Sequence, residues 1–486
     1  MNYLGFEVYE KSIHRTGGPN PLTVFMAREG DETFIVAETA TGKDSGFKGT
    51  ELGNGKIRAP LIHENAVTLR RLFPFTAPVR VLRKDRSFGL GDRLGIATPG
   101  HIKLFEAYDA YPVFAQQSIR ELKLTNRTYE DVLDAVTFAV FREDFQKGFG
   151  ADGDHLKTVK DVEYALSLGF SMITLDCSDY IKTEVSAENA PPLPEKYGTK
   201  YLGRPFDLGE GIILSFNEEE LRQAAAIYGE AIDFAVDMYK RFFKDGNYEA
   251  DFEISIDETA APTTPLEHFF VARELIDAGV SFATIAPRFC GEFQKGIDYT
   301  GDLAQFDREI KIHAVIARFF GYKLSIHSGS DKFTVFPSIG RETRGIFHVK
   351  TAGTNWLEAM RVSAISDPAL YREVHAYALS VFEEAGKYYH VSADLSKIPA
   401  LDSLPDEELP GLFHNNDARQ LIHITYGHIL NKKNPDGSFV FKDRLYKLWK
   451  DQEDLYAGAL VKHIGKHLDL LGVKRTGAEN IDPASC

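Results

Sequence analysis

The sequence predicts an α/β fold: a (β/α)8 TIM-like barrel with a small N-terminal α+β lead-in and a C-terminal helical extension. Two observations carry this. After about residue 70, short β-rich runs alternate with polar loops and stretches of helical apolar spacing, the signature of a parallel sheet. The β-rich runs number eight, the count that closes a barrel.

In chain order, residues 1–70 form the lead-in, with strand character in LTVFMA and ETFIVAETA and a turn at the GNGK around Gly53. The barrel is expected over 71–354, with strands at PVRVL (from Pro78), YPVFAQQ (Tyr111), GFGAD (Gly148), SMITLD (Ser171), DFEISID (Asp251), FATIAPRF (Phe282), KLSIHS (Lys323) and IFHVKTA (Ile346). GFGAD is the poorest of these on propensity, because glycine weakens a strand. HIKLFEAYDA and EEELRQAAAIYGEAIDFAVDMYKRFF are typical of the intervening helices. Thr98-Pro99 reads as an N-cap followed by proline in the first turn. Residues 181–216, proline-rich and polar, form an insertion expected near the barrel mouth. Residues 355–474 are helical and expected to pack on the barrel, and 475–486 read as a disordered tail.

Of 486 residues, 43% are hydrophobic and 26% charged, enough for a large core and ordinary for a soluble globular protein. The formal charge of −15 removes most of the case for a nucleic-acid partner, which needs a basic face. It also means that an anionic substrate requires a locally positive pocket. Three cysteines without a CxxC pair point to a reducing, cytoplasmic setting, and neither a signal-peptide pattern nor a membrane-spanning apolar run is visible. The segment GLGDRLG lacks the spacing of a dinucleotide loop, and no GxxxxGK[ST] motif is present, so no nicotinamide or other nucleotide cofactor is expected.

In a (β/α)8 barrel the active site forms where the strands end. Here every strand end is rich in polar residues: the loop RKDRSFGLGDRLG after the first strand; Gln116, Gln117 and Ser118; Asp152, Asp154 and His155; Asp176, Ser178 and Asp179; Glu253, Ser255, Asp257 and Glu258; Arg288, Glu292 and Gln294; His327, Ser328, Ser330 and Asp331; His348, Lys350 and Thr351. His155 and His327 are the leading metal-ligand candidates, since imidazole suits Zn, Mn, Ni or Co. His348 is weaker, able either to face the barrel or to pack outside it. Alternation puts Glu253, Ser255 and Asp257 on one face of an otherwise apolar strand. Glu253 is then either an acid or base with a raised pKa or half of a buried ion pair with Lys350 or Arg288. The SGSDK and KTAGT segments occupy the usual anion-binding position of the fold.

Taken together, GFGADGDHLK, LDCSDY, FEISIDET, RFCGEFQKGIDYTGDLAQF, LSIHSGSDKF, FHVKTAGTNW, YHVSADLSKIP and RQLIHITYG, with FAQQS and SFGLGDRLG, resemble the tagaturonate/fructuronate epimerase family from about Arg71 to Leu471. The resemblance implies a metal-dependent sugar-acid epimerase of hexuronate catabolism that interconverts D-tagaturonate and D-fructuronate at ketose C4, with related activity on D-tagatose and D-fructose. It also implies Asp154 as proton acceptor, Glu253 as proton donor, and His155, Gln294 and His327 as ligands of a divalent metal. Gln116, Gln117, Ser118, Asp176, Arg288, Ser328 and Lys350 are the further candidates for substrate binding. A metal-dependent aldolase, or another sugar isomerase on the same barrel, is the alternative. The expected partner is a small sugar or sugar acid, with neither nucleic acid nor membrane; a homo-oligomer is left open.

Overall fold

The computed structural model describes residues 2–3, 5–18, 21–39, 45–186 and 188–476. Eight parallel strands close a barrel in sequence order, the eighth pairing with the first. They are β1 (Arg86–Gly91), β2 (Tyr111–Ser118), β3 (Gly150–Leu156), β4 (Met172–Asp176), β5 (Asp251–Ile256), β6 (Thr284–Pro287), β7 (Lys323–Ile326) and β8 (Phe347–Ala352). Helices α1 (Thr98–Glu106), α2 (Tyr129–Glu143), α3 (Val159–Ser167), α4 (Glu218–Phe242), α5 (Pro265–Asp277), α6 (Leu303–Phe320), α7 (Phe336–Glu342) and α8 (Thr354–Ser366) follow the strands in turn. Capping boxes fix the starts of α2 (Thr128 with Asp131), α4 (Asn217 with Glu220) and α5 (Thr264 with Glu267), each satisfying orphan N–H groups at the first turn.

Three expectations need correction. PVRVL is not the first strand. Val81 and Leu82 pack with Val113, Met172 and Ala283 to plug the N-terminal end of the barrel. The buried Asp251 carboxylate holds the plug by accepting from Leu82 N–H (2.9 Å) and Arg80 Nε (3.1 Å). The first strand is RSFGLG, read from sequence as the loop after it; its glycines disguised it. Gly89 leaves room for Gln116, whose Oε1 would lie 1.8 Å from a Cβ there. The second correction is at α1, where the N-cap position falls on Ala97 and no side chain caps it. Asp92 braces this loop instead, accepting from Leu94 N–H (2.9 Å) and Ala97 N–H (2.8 Å).

The third correction concerns the 181–216 insertion, which runs down the outside of the barrel. Its short helix Glu195–Tyr201 buries Tyr197 and Tyr201 against Phe270 of α5, and Glu210 pairs with Arg318 of α6 at 2.7 Å. Aromatic burial anchors it there, away from the mouth. The GFGAD run does lead into a strand, which starts at Gly150; Gly150 and Gly153 are glycines there because a Cβ would meet neighbouring side chains at 2.8–2.9 Å.

The lead-in is a mainly antiparallel sheet with helix His63–Leu72. Its Asn54-Gly55 turn has positive φ at both residues, 52° and 73°, the conformation a tight hairpin needs. At the other end, α9 (Pro368–Ala385), α10 (Asn416–Ile424), α11 (Lys442–Asp451) and α12 (Glu453–Leu470) pack against α1 and α8. Arg475 and Thr476 bond back to the Ala107–Tyr108 turn, and the rest of the expected tail, 477–486, lies outside the described residues.

Candidate active site

The interior of the barrel is polar in layers. In the lowest layer His348 bonds Ser87 Oγ (2.9 Å), and Lys323 Nζ donates to Ser87 Oγ (2.9 Å) and Lys84 O (2.6 Å). His348 therefore faces inward but below the mouth, and burial pushes its pKa down to about 3.

Above it sits a charged hub. Lys350 Nζ lies 2.7 Å from Asp152 and 3.3 Å from Glu253, and also pairs with Asp154. Thr174 Oγ1 lies 2.6 Å from Lys350 Nζ and 3.0 Å from both Asp152 and Glu253, and Thr284 donates to the second Glu253 oxygen at 2.5 Å. β-strand alternation puts all of these on the inner face. Burial raises the pKa of Asp152, helped by repulsion from Asp154 and Glu253 and opposed by Lys350, to about 6. Burial acts the same way on Asp154, but Lys350 and His155 outweigh it and hold its carboxyl far below the usual range.

Of the two readings left open for Glu253, the structure has the buried ion pair with Lys350, and its pKa is not raised. Burial pushes it up, yet Lys350 and the His327 ring, whose Nε2 is 2.8 Å away, carry it well below the ordinary value. Asp154 and Glu253 each also face an imidazole, His155 and His327, and Asp152 is the one of the three whose pKa lies above its ordinary value.

Two histidines face each other at the mouth, with ring centroids 4.9 Å apart. A register shift between Gly153 and Leu156 disturbs the β3 ladder, and His155 sits in it with φ of 56°. Such a bulge re-aims a side chain at a strand end, and left-handed backbone in a non-glycine residue marks a place where function holds strain. Asp154 Oδ1 bonds His155 Nδ1 at 2.7 Å. Asp257, positioned by Ser255 Oγ at 2.6 Å, bonds His327 Nδ1 at 2.9 Å and lies 3.9 Å from His155 Nε2. That His155 Nε2 is buried and has no hydrogen-bond partner. Burial opposes charge on His327, but Asp257 and Glu253 carry its pKa up to about 10. The ligand atoms of His155, Asp257 and His327 all fall within 4.8 Å of one another, a group able to hold a metal ion.

Two cavities open above this floor. One, of about 550 Å³, is lined by His327, Asp257, Gln294, Arg288 and Ser328; the other, of about 420 Å³, by Asp154, His155, Ser118 and Asp176. Neither is lined by the 181–216 insertion; the C-terminal extension contributes Tyr388, Tyr389 and His390. A larger cavity of about 870 Å³, between the lead-in sheet and α11, touches none of the strand-end candidates.

Gln294 shares its cavity with His327, and its Oε1 accepts from Ser392 Oγ (2.8 Å) and Gln420 Nε2 (3.1 Å). Arg288 donates to Thr259 O, Ser328 Oγ accepts from Lys295 (3.0 Å), and Asp176 accepts from Ser178 N–H (2.8 Å). Gln116 donates to Thr351 O at 3.1 Å, while its Oε1 and both amide atoms of Gln117 are buried without partners. Ser118 caps helix Ile119–Thr125. Sequence reasoning named Asp257 only as a strand end and passed over Thr174, Thr284, Arg120 and Lys295. The alternation that singled out Glu253 also covered Asp257, whereas Arg120 and Lys295 lie beyond strand ends and carried no periodic signal.

A family model described as UxaE, tagaturonate epimerase, matches residues 9–471. The chain belongs to the tagaturonate epimerase family. The Thermotoga maritima protein named tagaturonate/fructuronate epimerase is 46% identical, over 96% of this chain and 97% of its own. Crystal structures of the fructuronate-tagaturonate epimerase UxaE from Cohnella laeviribosi superpose with a TM-score of 0.92 at 48–49% identity and cover 96–97% of this chain and 97% of theirs. As a member of the tagaturonate epimerase family the chain is an isomerase, an epimerase on a (β/α)8 barrel. Among the described residues no helix is long and apolar enough to cross a membrane.

Proposed function

We propose that the protein interconverts D-tagaturonate and D-fructuronate with the help of a divalent metal (Zn, Mn, Ni or Co), and that D-tagatose and D-fructose are further substrates, in a cytoplasmic setting. The observation that carries this reading is the pair Asp154 and Glu253, brought from β3 and β5 onto the same Lys350 at the mouth of the barrel, in a chain 46% identical to a tagaturonate/fructuronate epimerase.

The donor set fits a metal. His155 and His327 supply imidazoles, and Gln294 and Asp257 supply oxygens within the same mouth. The buried, unpartnered His155 Nε2 is the valence a cation would satisfy. When bound, such an ion supplies Lewis-acid stabilisation of negative charge developing on substrate oxygen.

The inverted C4 is beta to the C2 carbonyl, so its hydrogen is not acidified as an alpha hydrogen is. Retro-aldol cleavage avoids that difficulty. Asp154, held anionic, accepts the C4 hydroxyl proton; the C3–C4 bond breaks and its electrons pass to C3, C2 and the carbonyl oxygen, leaving an enediolate and an aldehyde. The aldehyde turns about its bond to C5, C3–C4 re-forms on the other face, and the C4 alkoxide takes a proton. Glu253 is also anionic at rest, so it first takes a proton from solvent, then donates it to the C4 oxygen on the new face, while Asp154 releases the proton it accepted to solvent.

Turnover of D-tagaturonate in D2O, followed by proton NMR, tests this. D-fructuronate should accumulate with hydrogen retained at C4; label at C3 is compatible, because the enediolate can pick up a solvent deuteron there. Stoichiometric deuterium at C4 would replace the retro-aldol step by proton exchange. Absence of fructuronate, or net release of two three-carbon fragments, would sink the epimerase reading in favour of none or an aldolase.

A further inference from the structure

An acidic chain that takes a sugar acid must hold one carboxylate somewhere in its mouth, and most mouth cations are already engaged. Lys350 meets three carboxylates. Arg93 pairs with Glu121 at 2.9 Å, and Lys157 with Asp179 at 2.5 Å. Arg288 donates to Thr259 O and faces Glu292 at 3.6 Å. Two cations differ. Arg120, at the start of the helix after β2, makes no hydrogen bond or ion pair with any described residue; its guanidinium lies against the Tyr389 ring, 5.0 Å from the centroid. Lys295, in the loop after β6, has one side-chain partner among the described residues, the neutral Ser328 Oγ at 3.0 Å. Both residues belong to the wall shared by the two mouth cavities, one carrying Asp154 and His155 and the other His327 and Asp257.

We infer that Arg120 and Lys295 form the carboxylate subsite that selects sugar acids over neutral sugars. This rests on the proposed hexuronate reading and adds the residues that enforce it. The carboxylate of a hexulosonate is C6, two bonds beyond the inverted C4, so a cation pair in the wall beside the Asp154–Glu253 floor is placed to meet it while C4 reacts. The planar Arg120 fork matches a carboxylate bidentately, and its stacking on Tyr389 fixes the plane of approach. Lys295 adds a point charge; Glu258 stands in the same shared wall, so the two cations leave it net positive by one charge in a chain whose net charge is −15.

The test compares two unreactive six-carbon probes, D-gluconate and the neutral D-sorbitol, by titration calorimetry on the full-length protein. Wild type should bind gluconate more tightly than sorbitol. Arg120→Gln and Lys295→Met should each weaken gluconate by about tenfold or more, the scale of a lost charge-assisted hydrogen bond, and leave sorbitol within about twofold. Arg120→Lys should recover part of the loss. With D-tagaturonate the variants should raise KM far more than they lower kcat. Unchanged gluconate affinity in Arg120→Gln, or a wild type with no preference for gluconate, overturns the subsite. Arg120 lies at the rim and its replacement leaves no buried partner orphaned, so this arm survives if Lys295→Met misfolds. If wild type discriminates the probes and the variants lose it while D-tagaturonate is not turned over, the subsite stands and the proposed reaction fails.

Discussion

Among the described residues two groups of histidine and carboxylate have metal-ligand spacing, and they differ in what their atoms still lack. At the mouth, His155, Asp257 and His327 open onto cavities; His327 has Asp257 on Nδ1 and Glu253 on Nε2, but His155 Nε2 is buried without a hydrogen-bond partner. Between the loop after β7 and α12, Asp331, His463 and His467 are as close together, yet every ring nitrogen is occupied. His463 contacts Asp331 (2.5 Å) and Glu358 (3.2 Å); His467 Nδ1 bonds its own helix at His463 O (2.9 Å), and its Nε2 accepts from Asp331 N–H (3.0 Å). Arg419 neutralises Asp331 at 2.7 Å. Residue type and proximity are therefore not a site. An unmet valence on a residue that lines an open cavity is what separates a centre for chemistry from a seam that pins a helix to a barrel.

The largest expected effect would separate the two groups directly. His155→Ala and His327→Ala should abolish turnover and bound metal together, and EDTA dialysis should do the same reversibly. His467→Ala should leave metal content intact and cost about 1–3 kcal/mol of stability by orphaning the Asp331 N–H. Elemental analysis beside chemical denaturation reads both; a metal-free enzyme with full turnover, or metal lost on His467→Ala, would break the comparison.

A smaller effect divides the mouth itself. Asp154→Asn and Glu253→Gln nearly keep shape and should each lower kcat by about 100-fold or more, with metal content retained. If Glu253→Gln unfolds but its folded fraction turns over normally, Glu253 is only an ion-pair partner of Lys350.

The smallest effect lies at the barrel floor, where Lys323 is the counterpart of Lys350. Lys350 has three carboxylates, and its ammonium is held charged; Lys323 has a carbonyl and a hydroxyl, and burial pushes it down to about 7 from 10.5, Asp251, Glu253 and Asp85 opposing. The folded pKa is the lower one. Between pH about 7 and 10.5 the unfolded chain therefore binds a proton that the folded chain has released, and stability rises with pH through that window. The stability difference between wild type and Lys323→Met should grow in favour of wild type over this range; a pH-independent difference would show an ordinary lysine.

The sequence by itself determined the barrel, the strand-end positions of Asp154, His155 and His327, the place of Glu253 on the inward face of its strand, and the family. Period-two alternation and βα rhythm are local signals, and strand ends follow from them. It misplaced β1 because glycines demanded by a neighbour's side chain look like a loop from within the segment, and it misplaced the insertion because aromatic burial against a distant helix leaves no local mark. Tertiary structure alone decided that Lys350 gathers three carboxylates, that Glu253 is held below rather than above its ordinary pKa, and that Arg120 and Lys295 have no ion-pair partner among the described residues. Those facts depend on which charges end up within a few ångströms across different strands and loops, and Coulomb energies are set by that distance and the surrounding dielectric, neither of which sequence spacing contains.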